Sequence, residues 1–164
     1  MIDFKIYMME YKGGPIESSL QIEPYTDEYY AKYKETYEAC FHDMRSQLGI
    51  EPVDSCDTKE QLSQRKDNIY LLIENDILIG SVAIKENEID DLIVSFEYQH
   101  KGKGRQLLEF AISEMQKRDI SPIILNVTDW NKRAMLMYQR SGFVVSGVQY
   151  ILIPDKDEQK ESDE

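Results

Sequence analysis

Cysteine is nearly absent: Cys40 and Cys56 are the only two in 164 residues, too few for a disulfide framework or a zinc signature. No apolar run approaches the roughly 18–20 residues needed to span a bilayer. The first twelve residues mix Asp3, Lys5 and Glu10 into an apolar stretch, which is not the pattern of a signal peptide. Positive charge is also short. Nineteen basic residues face 31 acidic ones, for a formal net charge of -12. A field of that sign repels phosphate backbones and anionic lipid and draws cations. Neither nucleic acid nor a membrane is expected as a partner, whereas a cationic substrate suits the charge. The expectation is a soluble, cytoplasmic protein with reduced thiols.

What is present is enough for one core. The chain is 41% hydrophobic, and its length fits a single domain. Phe4 to Tyr11 reads as an apolar strand ended by Gly13-Gly14-Pro15, and Leu20 to Tyr25 as a short second one. Between Thr26 and Leu48, Tyr30, Tyr33, Tyr37, Phe41, Met44 and Leu48 recur at helical spacing, with Thr26 as N-cap and Gly49 as the stop. Thr58 to Lys66 reads as a short helix whose Thr58 and Gln61 stand at capping-box spacing. Ile69 to Glu74 and Ile77 to Ile84 flank Asn75-Asp76, a hairpin signal, and Ile89 to Phe96 is a third strand. Leu107 to Met115 returns to helical spacing; Ile123 to Val127, Asn131 to Arg140 and Val144 to Ile153 follow as strand, helix and strand. The order indicates a mixed α/β (α+β) fold. Residues 154–164, six of them acids and none apolar beyond Pro154, are expected to form a disordered tail.

The chemistry concentrates between strand 89–96 and the next helix, in Gln99-His100-Lys101-Gly102-Lys103-Gly104. Glycines at 102 and 104 permit positive φ and a close backbone approach to a ligand. Free N–H groups at the helix start favour a phosphate. Lys101, Lys103 and Arg105 put three cations on this loop of an acidic chain. Neither common nucleotide loop, G-x-G-x-x-G or G-x-x-x-x-G-K-[ST], is present. Composition alone also fits a solvated turn.

Two motifs together are more specific. Gln99-x-x-Gly102-x-Gly104 after a strand resembles the acetyl-CoA pyrophosphate loop of the GNAT N-acetyltransferase family. Leu125-Asn126-Val127, then Asn131, Ala134, Tyr138 and Ser141-Gly142-Phe143, resembles that family's second signature. The resemblance covers about residues 69–153 and implies a central twisted, mostly antiparallel sheet flanked by helices. It implies one domain over 1–153, with an acceptor-side part at 1–68 and a cofactor core at 69–153.

The resemblance also implies roles. The strand before the loop splays from its neighbour, and Leu92, Ile93 and Val94 pair with the pantetheine arm. The backbone from Gln99 to Gly104, including His100 and Gly102, receives the pyrophosphate, with Lys101, Lys103 or Arg105 adding charge. Asn131 contacts the cofactor, and an N–H near Val94 meets the oxyanion. Tyr138 protonates the departing thiolate, although a core aromatic would occupy the same helical face. The acceptor amine must first lose a proton, and a pKa near ~10.4 leaves only about 0.04% neutral at pH 7. Glu88 and Asp90 are the candidate bases, placed by strand alternation on one face with Asp91 on the other. Glu88 stands where histone-modifying members carry their base; a hydrated strand end is the competing reading. The tyrosines at 30, 33 and 37 read either as an amine pocket or as the buried stripe of a helix. The expected reaction is direct transfer from acetyl-CoA to a primary amine, without a metal, by a monomer or homodimer. A longer acyl donor, or a CoA-binding module without catalysis, stays open.

Overall fold

The computed structural model describes residues 2–154; the expected acidic tail, from residue 155 onward, lies outside them. Seven strands form one sheet: β1 (Ile2–Tyr11), β2 (Glu23–Pro24), β3 (Ile69–Glu74), β4 (Ile77–Lys85), β5 (Glu88–Val94), β6 (Ile124–Thr128) and β7 (Phe143–Ile153). Their order across the sheet is β2-β3-β4-β5-β6-β1-β7. Every neighbouring pair is antiparallel except β5 and β6, which run parallel and are matched only at Glu88 and Ile124. Beyond that pair the two strands part. The sheet is mixed, mostly antiparallel and flanked by helices, as expected.

Helix α1 (Tyr30–Leu48) and the short α2 (Lys59–Gln64) cover one face. Tyr33 and Leu62 from these helices pack with Ile69, Leu71, Leu78 and Ile93 of the sheet. Helix α3 (Lys103–Lys117) covers the other face, burying Leu107, Leu108, Ala111, Ile112 and Met115 against Met9, Ile79, Val82 and Leu125. At about 25 cal/mol per Å² of apolar area removed from water, these two layers dominate the stability. Helix α4 (Lys132–Arg140) lies beside β6 and β7. Gly80 lets α3 come this close to β4: a Cβ there would stand 2.6 Å from the Ile93 carbonyl and 2.9 Å from Leu107 Cδ1.

Local sequence signals hold where they are local. Asn75 and Asp76 both take positive φ, 52° and 61°, as a two-residue hairpin turn requires. Thr58 and Gln61 form the reciprocal capping box. Thr26 is a different case. It precedes a 3-10 turn, Asp27–Tyr29, and its side chain makes no capping bond, so α1 begins at Tyr30. The first strand lies between β6 and β7, inserted among residues some 120 positions later in the chain.

A β-bulge interrupts β5. The register against β4 shifts between Ser81 and Ala83, and Asp91 takes φ 49°. Simple alternation therefore fails here. Ile89 packs on the α3 side and Ile93 on the α1 side. Asp91 reaches Arg65 at the end of α2, while Asp90 Oδ1 accepts the Asp91 N–H at 2.9 Å. The bulge brings Asp91 to the α1 face instead of the opposite one, because its extra residue resets the alternation.

Candidate active site

The parting of β5 from β6 opens a cavity of about 440 Å³. Its walls come from β5, the loop before α3, the first turn of α3, α4, and the C-terminal half of α1. Leu92, Ile93, Val94, Gln99, His100, Gly102, Lys103, Gly104, Arg105, Asn131 and Tyr138 all line it. Residues scattered over 47 positions of sequence thus share one space. Lys101, Glu88 and Asp90 do not line it. Lys101 Nζ stands over the face of Tyr98, 5.6 Å from its ring centroid. Glu88 accepts a 2.9 Å hydrogen bond from Asn126 Nδ2 at the start of the gap.

Val94 is the hinge of this geometry. Ser95 N–H donates to the Ile79 carbonyl at 2.9 Å, which makes the opposed pair Gly80–Val94 a non-hydrogen-bonded one. The Val94 N–H and C=O therefore point away from β4, into the gap. Its carbonyl accepts from Gln99 Nε2 at 2.9 Å and from Cys40 Sγ at 3.2 Å.

The loop is shaped for an anion. His100 and Gly102 take φ 64° and 79°, and Gly102 is the N-cap of α3. The first intrahelical bond runs from Gln106 N–H to the Gly102 carbonyl, leaving the preceding N–H groups without helical partners. Gly104 differs from the expectation. It sits inside α3 without positive φ, and its value is the missing side chain: a Cβ would lie 3.6 Å from Met137 Sδ and 3.8 Å from Val94 Cγ2.

The cations are not equivalent. Lys103 pairs with Glu74 at 3.0 Å and Arg105 with Glu109 at 3.0 Å. Arg133, on α4, lines the cavity and places Nη1 2.8 Å from His100 Nδ1. Among the described residues it forms no ion pair with a carboxylate. Sequence reading missed Arg133, because an arginine on a polar helix face carries no signal without knowledge of what the helix meets. It also missed the part α1 plays: Cys40, Phe41 and Met44 of its apolar stripe close the far wall. Asn131 is occupied in part by structure, its Oδ1 capping α4 through Ala134 N–H at 3.2 Å. Trp130 donates to Gln47 Oε1 at 2.8 Å, tying the α4 entry to α1.

Tyr138 lines the cavity and packs edge-on to Phe143, with ring centroids 6.2 Å apart. Burial, then the negative charge of Asp90, pushes its hydroxyl up to about 12. The α1 tyrosines are packing. Tyr33 is buried, and Arg45 already occupies the faces of Tyr37 and Phe41 at 5.5 and 5.3 Å. A second cavity, about 530 Å³ between segment 17–21, β3 and α3, is lined by Glu17, Glu74 and Glu109 and is ill-suited to a polyphosphate.

The model of the acetyltransferase (GNAT) family matches residues 23–143 of this sequence. The chain belongs to the GNAT acetyltransferase family. Among curated relatives, the [ribosomal protein bS18]-alanine N-acetyltransferase of Escherichia coli K12 is 35% identical over 65 residues, 40% of this chain and 44% of that protein. Its Salmonella typhimurium counterpart is 32% identical over the same length. The chain thus spans less than half the length of the curated relatives it matches. Solved GNAT structures share the fold. A putative acetyltransferase of Novosphingobium aromaticivorans superposes with a TM-score of 0.67 at 16% identity, covering 92% of this chain and 63% of that one. The PaiA N-acetyltransferase of Thermoplasma acidophilum, solved in complex with coenzyme A, gives 0.66 at 23% identity over 78% and 91% of the two chains.

Proposed function

We propose that this GNAT chain transfers the acetyl group of acetyl-CoA to a primary amine. One observation carries the reading: a single cavity runs through the β5–β6 gap, joining the anion-shaped loop on one side to α1 on the other. Its donors fit the proposed acyl donor. Unpaired N–H groups at the start of α3, with Arg133 beside them, suit a pyrophosphate, and the missing side chain at Gly104 leaves room for it. Bound there, acetyl-CoA would supply a thioester, an electrophile ready for attack by an amine.

The chain's own groups then divide the work. Leu92 and Val94 present the edge of β5 to an extended arm, as a strand partner would. The Val94 N–H faces the gap and can donate to the carbonyl oxygen as charge builds there. Tyr138 keeps its proton at neutral pH and can give it to the departing sulfur. Glu88, held by Asn126 of β6, and Asp90, bonded to the Asp91 N–H, stand toward the start of the gap, and their negative charge would draw a cationic acceptor. The name of the Escherichia coli relative supports a protein amino group as acceptor; the acidic field equally draws small cationic amines.

The test is release of free thiol from acetyl-CoA against a panel of peptides with free N-termini and small amines. Release with one acceptor, and none without it, is the expected result; stabilisation by the donor with no release across the panel would favour a binding module. Arg133→Ala is expected to raise the KM for acetyl-CoA by tenfold or more, since a hydrogen bond to a charged group contributes about 1.5–3 kcal/mol. Steady-state kinetics at saturating acceptor checks this. An unchanged KM would remove Arg133 from the donor site.

A further inference from the structure

Charge is unevenly placed around the cavity of the β5–β6 gap. Its basic side chains come from the loop, α3 and α4, on the side proposed for the donor's phosphates. Lys103 and Arg105 are matched there by Glu74 and Glu109, which leaves Arg133 as the cation without a carboxylate. The lining holds one carboxylate, Asp43, and it comes from α1 on the far wall. Among the described residues Asp43 forms no ion pair, and its side chain makes no hydrogen bond. The adjacent His42 is already bound to Asp54, at 2.8 Å.

Helix geometry explains why Asp43 meets the cavity. Residues three and four apart share one face of a helix, and the turns on both sides of Asp43 are anchored at the gap. One turn earlier, Cys40 Sγ donates to the Val94 carbonyl at 3.2 Å. One turn later, Gln47 Oε1 accepts from Trp130 Nε1 at 2.8 Å. Beside it, Met44 Sδ accepts from Thr128 Oγ1 at 3.3 Å. Asp43 therefore stands on the stripe of α1 held between the end of β5 and the end of β6. Trp130 and Phe96 also line the cavity and keep 38% and 59% of their surface exposed, so aromatic surface is open in the same space.

We propose that Asp43 selects acceptors carrying a second positive charge, binding that charge while the primary amine reaches the thioester. This rests on the acetyl-transfer reading above. The reacting nitrogen is a poor partner for Asp43, since an ammonium held in an ion pair keeps its proton and has no electron pair to attack with. It must instead lie by Val94 and Tyr138, the groups assigned to the thioester. The carboxylate on α1 is left for a cation further along the same molecule. Methylene groups joining the two charges would cover the open faces of Trp130 and Phe96, and a π face also attracts a cation. The two unmatched charges of the cavity, Arg133 on α4 and Asp43 on α1, then suit an anionic donor and a dicationic acceptor. The same chemistry is offered by a free aliphatic diamine and by a peptide with a lysine close to its N-terminal amine.

The experiment reads thiol release from acetyl-CoA by the unaltered protein, Asp43→Asn and Asp43→Lys. The acceptors are matched in length: an aliphatic diamine, a monoamine ending in methyl and an amino acid ending in carboxylate. The unaltered protein should prefer the diamine over the monoamine by about tenfold in kcat/KM, between the small effect of an exposed ion pair and the larger one of a hydrogen-bonded charge. Asp43→Asn should erase that preference through KM rather than kcat, and Asp43→Lys should turn it toward the amino acid. Two peptides with lysine or norleucine as second residue identify the source of the charge. A lysine preference that Asp43→Asn erases assigns the site to a peptide; a preference confined to the diamine assigns it to a small molecule. The assignment is overturned if the unaltered protein prefers neither dication, if Asp43→Asn keeps the preference, or if it loses kcat with every acceptor alike. Calorimetry of the diamine with the unaltered protein and Asp43→Asn reads the acceptor site without turnover. Binding weakened by the substitution supports the assignment and equal binding overturns it. Absence of stabilisation by acetyl-CoA removes the acetyl-transfer reading, a separate failure.

Discussion

Tyr138→Phe is expected to lower kcat by about 10²–10⁴-fold while leaving the KM for acetyl-CoA nearly unchanged. The ring stays: its edge-on contact with Phe143 and its place on the cavity wall need no hydroxyl. What goes is the hydroxyl to which the proposed reaction assigns protonation of the leaving sulfur. Because burial pushes that hydroxyl up to about 12, it is protonated throughout the ordinary assay range. The unaltered protein should then show no alkaline loss of activity traceable to Tyr138. Steady-state kinetics on both proteins reads both effects. A kcat within a few-fold of normal would mean that the sulfur is protonated by another group and that Tyr138 is a packing residue.

The second large effect falls on binding. Gly104→Trp should abolish stabilisation by acetyl-CoA while leaving the fold intact. A Cβ at this position meets only ordinary contacts, Met137 Sδ at 3.6 Å and Val94 Cγ2 at 3.8 Å, so α3 accepts a side chain here. Glycine inside a helix also costs about 1 kcal/mol relative to alanine, so the apo protein loses nothing from its helix propensity. The indole would fill the space between Val94 and Met137. Gly102→Ala is the contrasting variant. At φ 79°, with nothing within 4 Å of the added Cβ, it strains the backbone by about 1–2 kcal/mol without blocking the cavity. Midpoints with and without acetyl-CoA separate the two. If Gly104→Trp is still stabilised, the donor does not lie over the start of α3.

These variants show which parts of the molecule are legible in sequence. Asn75-Asp76, the Thr58–Gln61 box and the Gly102 cap are local devices, each decided by residues within four positions, and each forms as its residues dictate. The two motifs, at 99–104 and 125–143, likewise place seven expected residues around one cavity, and Leu92, Ile93, Val94 and Arg105 join them there. Non-local facts were hidden. The insertion of β1 between β6 and β7 depends on a partner strand over a hundred residues away, which no window of sequence contains. The bulge at Asp91 inverts an inference from alternation, because a period of two holds only while the register is unbroken. Arg133 needed α4 to be seen against the loop, and Gly104 needed Met137 and Val94 to be seen around it.

Burial acts on two titrating groups in different parts of the fold, Asp91 under α1 and Tyr138 in the cavity wall. Both are raised by burial, yet the outcome is opposite at neutral pH: the carboxyl, near 6, is ionised, and the phenol, near 12, is protonated.

The measurement that bears most directly on acetyl-CoA-dependent transfer is the thermal midpoint of the full chain with and without acetyl-CoA. At about 100 times its dissociation constant the ligand adds ~2.7 kcal/mol, a rise of roughly 5–10 °C for a domain of this size. That rise is the expected result, and Gly104→Trp should erase it. An unchanged midpoint at millimolar acetyl-CoA would contradict the reading of the β5–β6 cavity as the donor site.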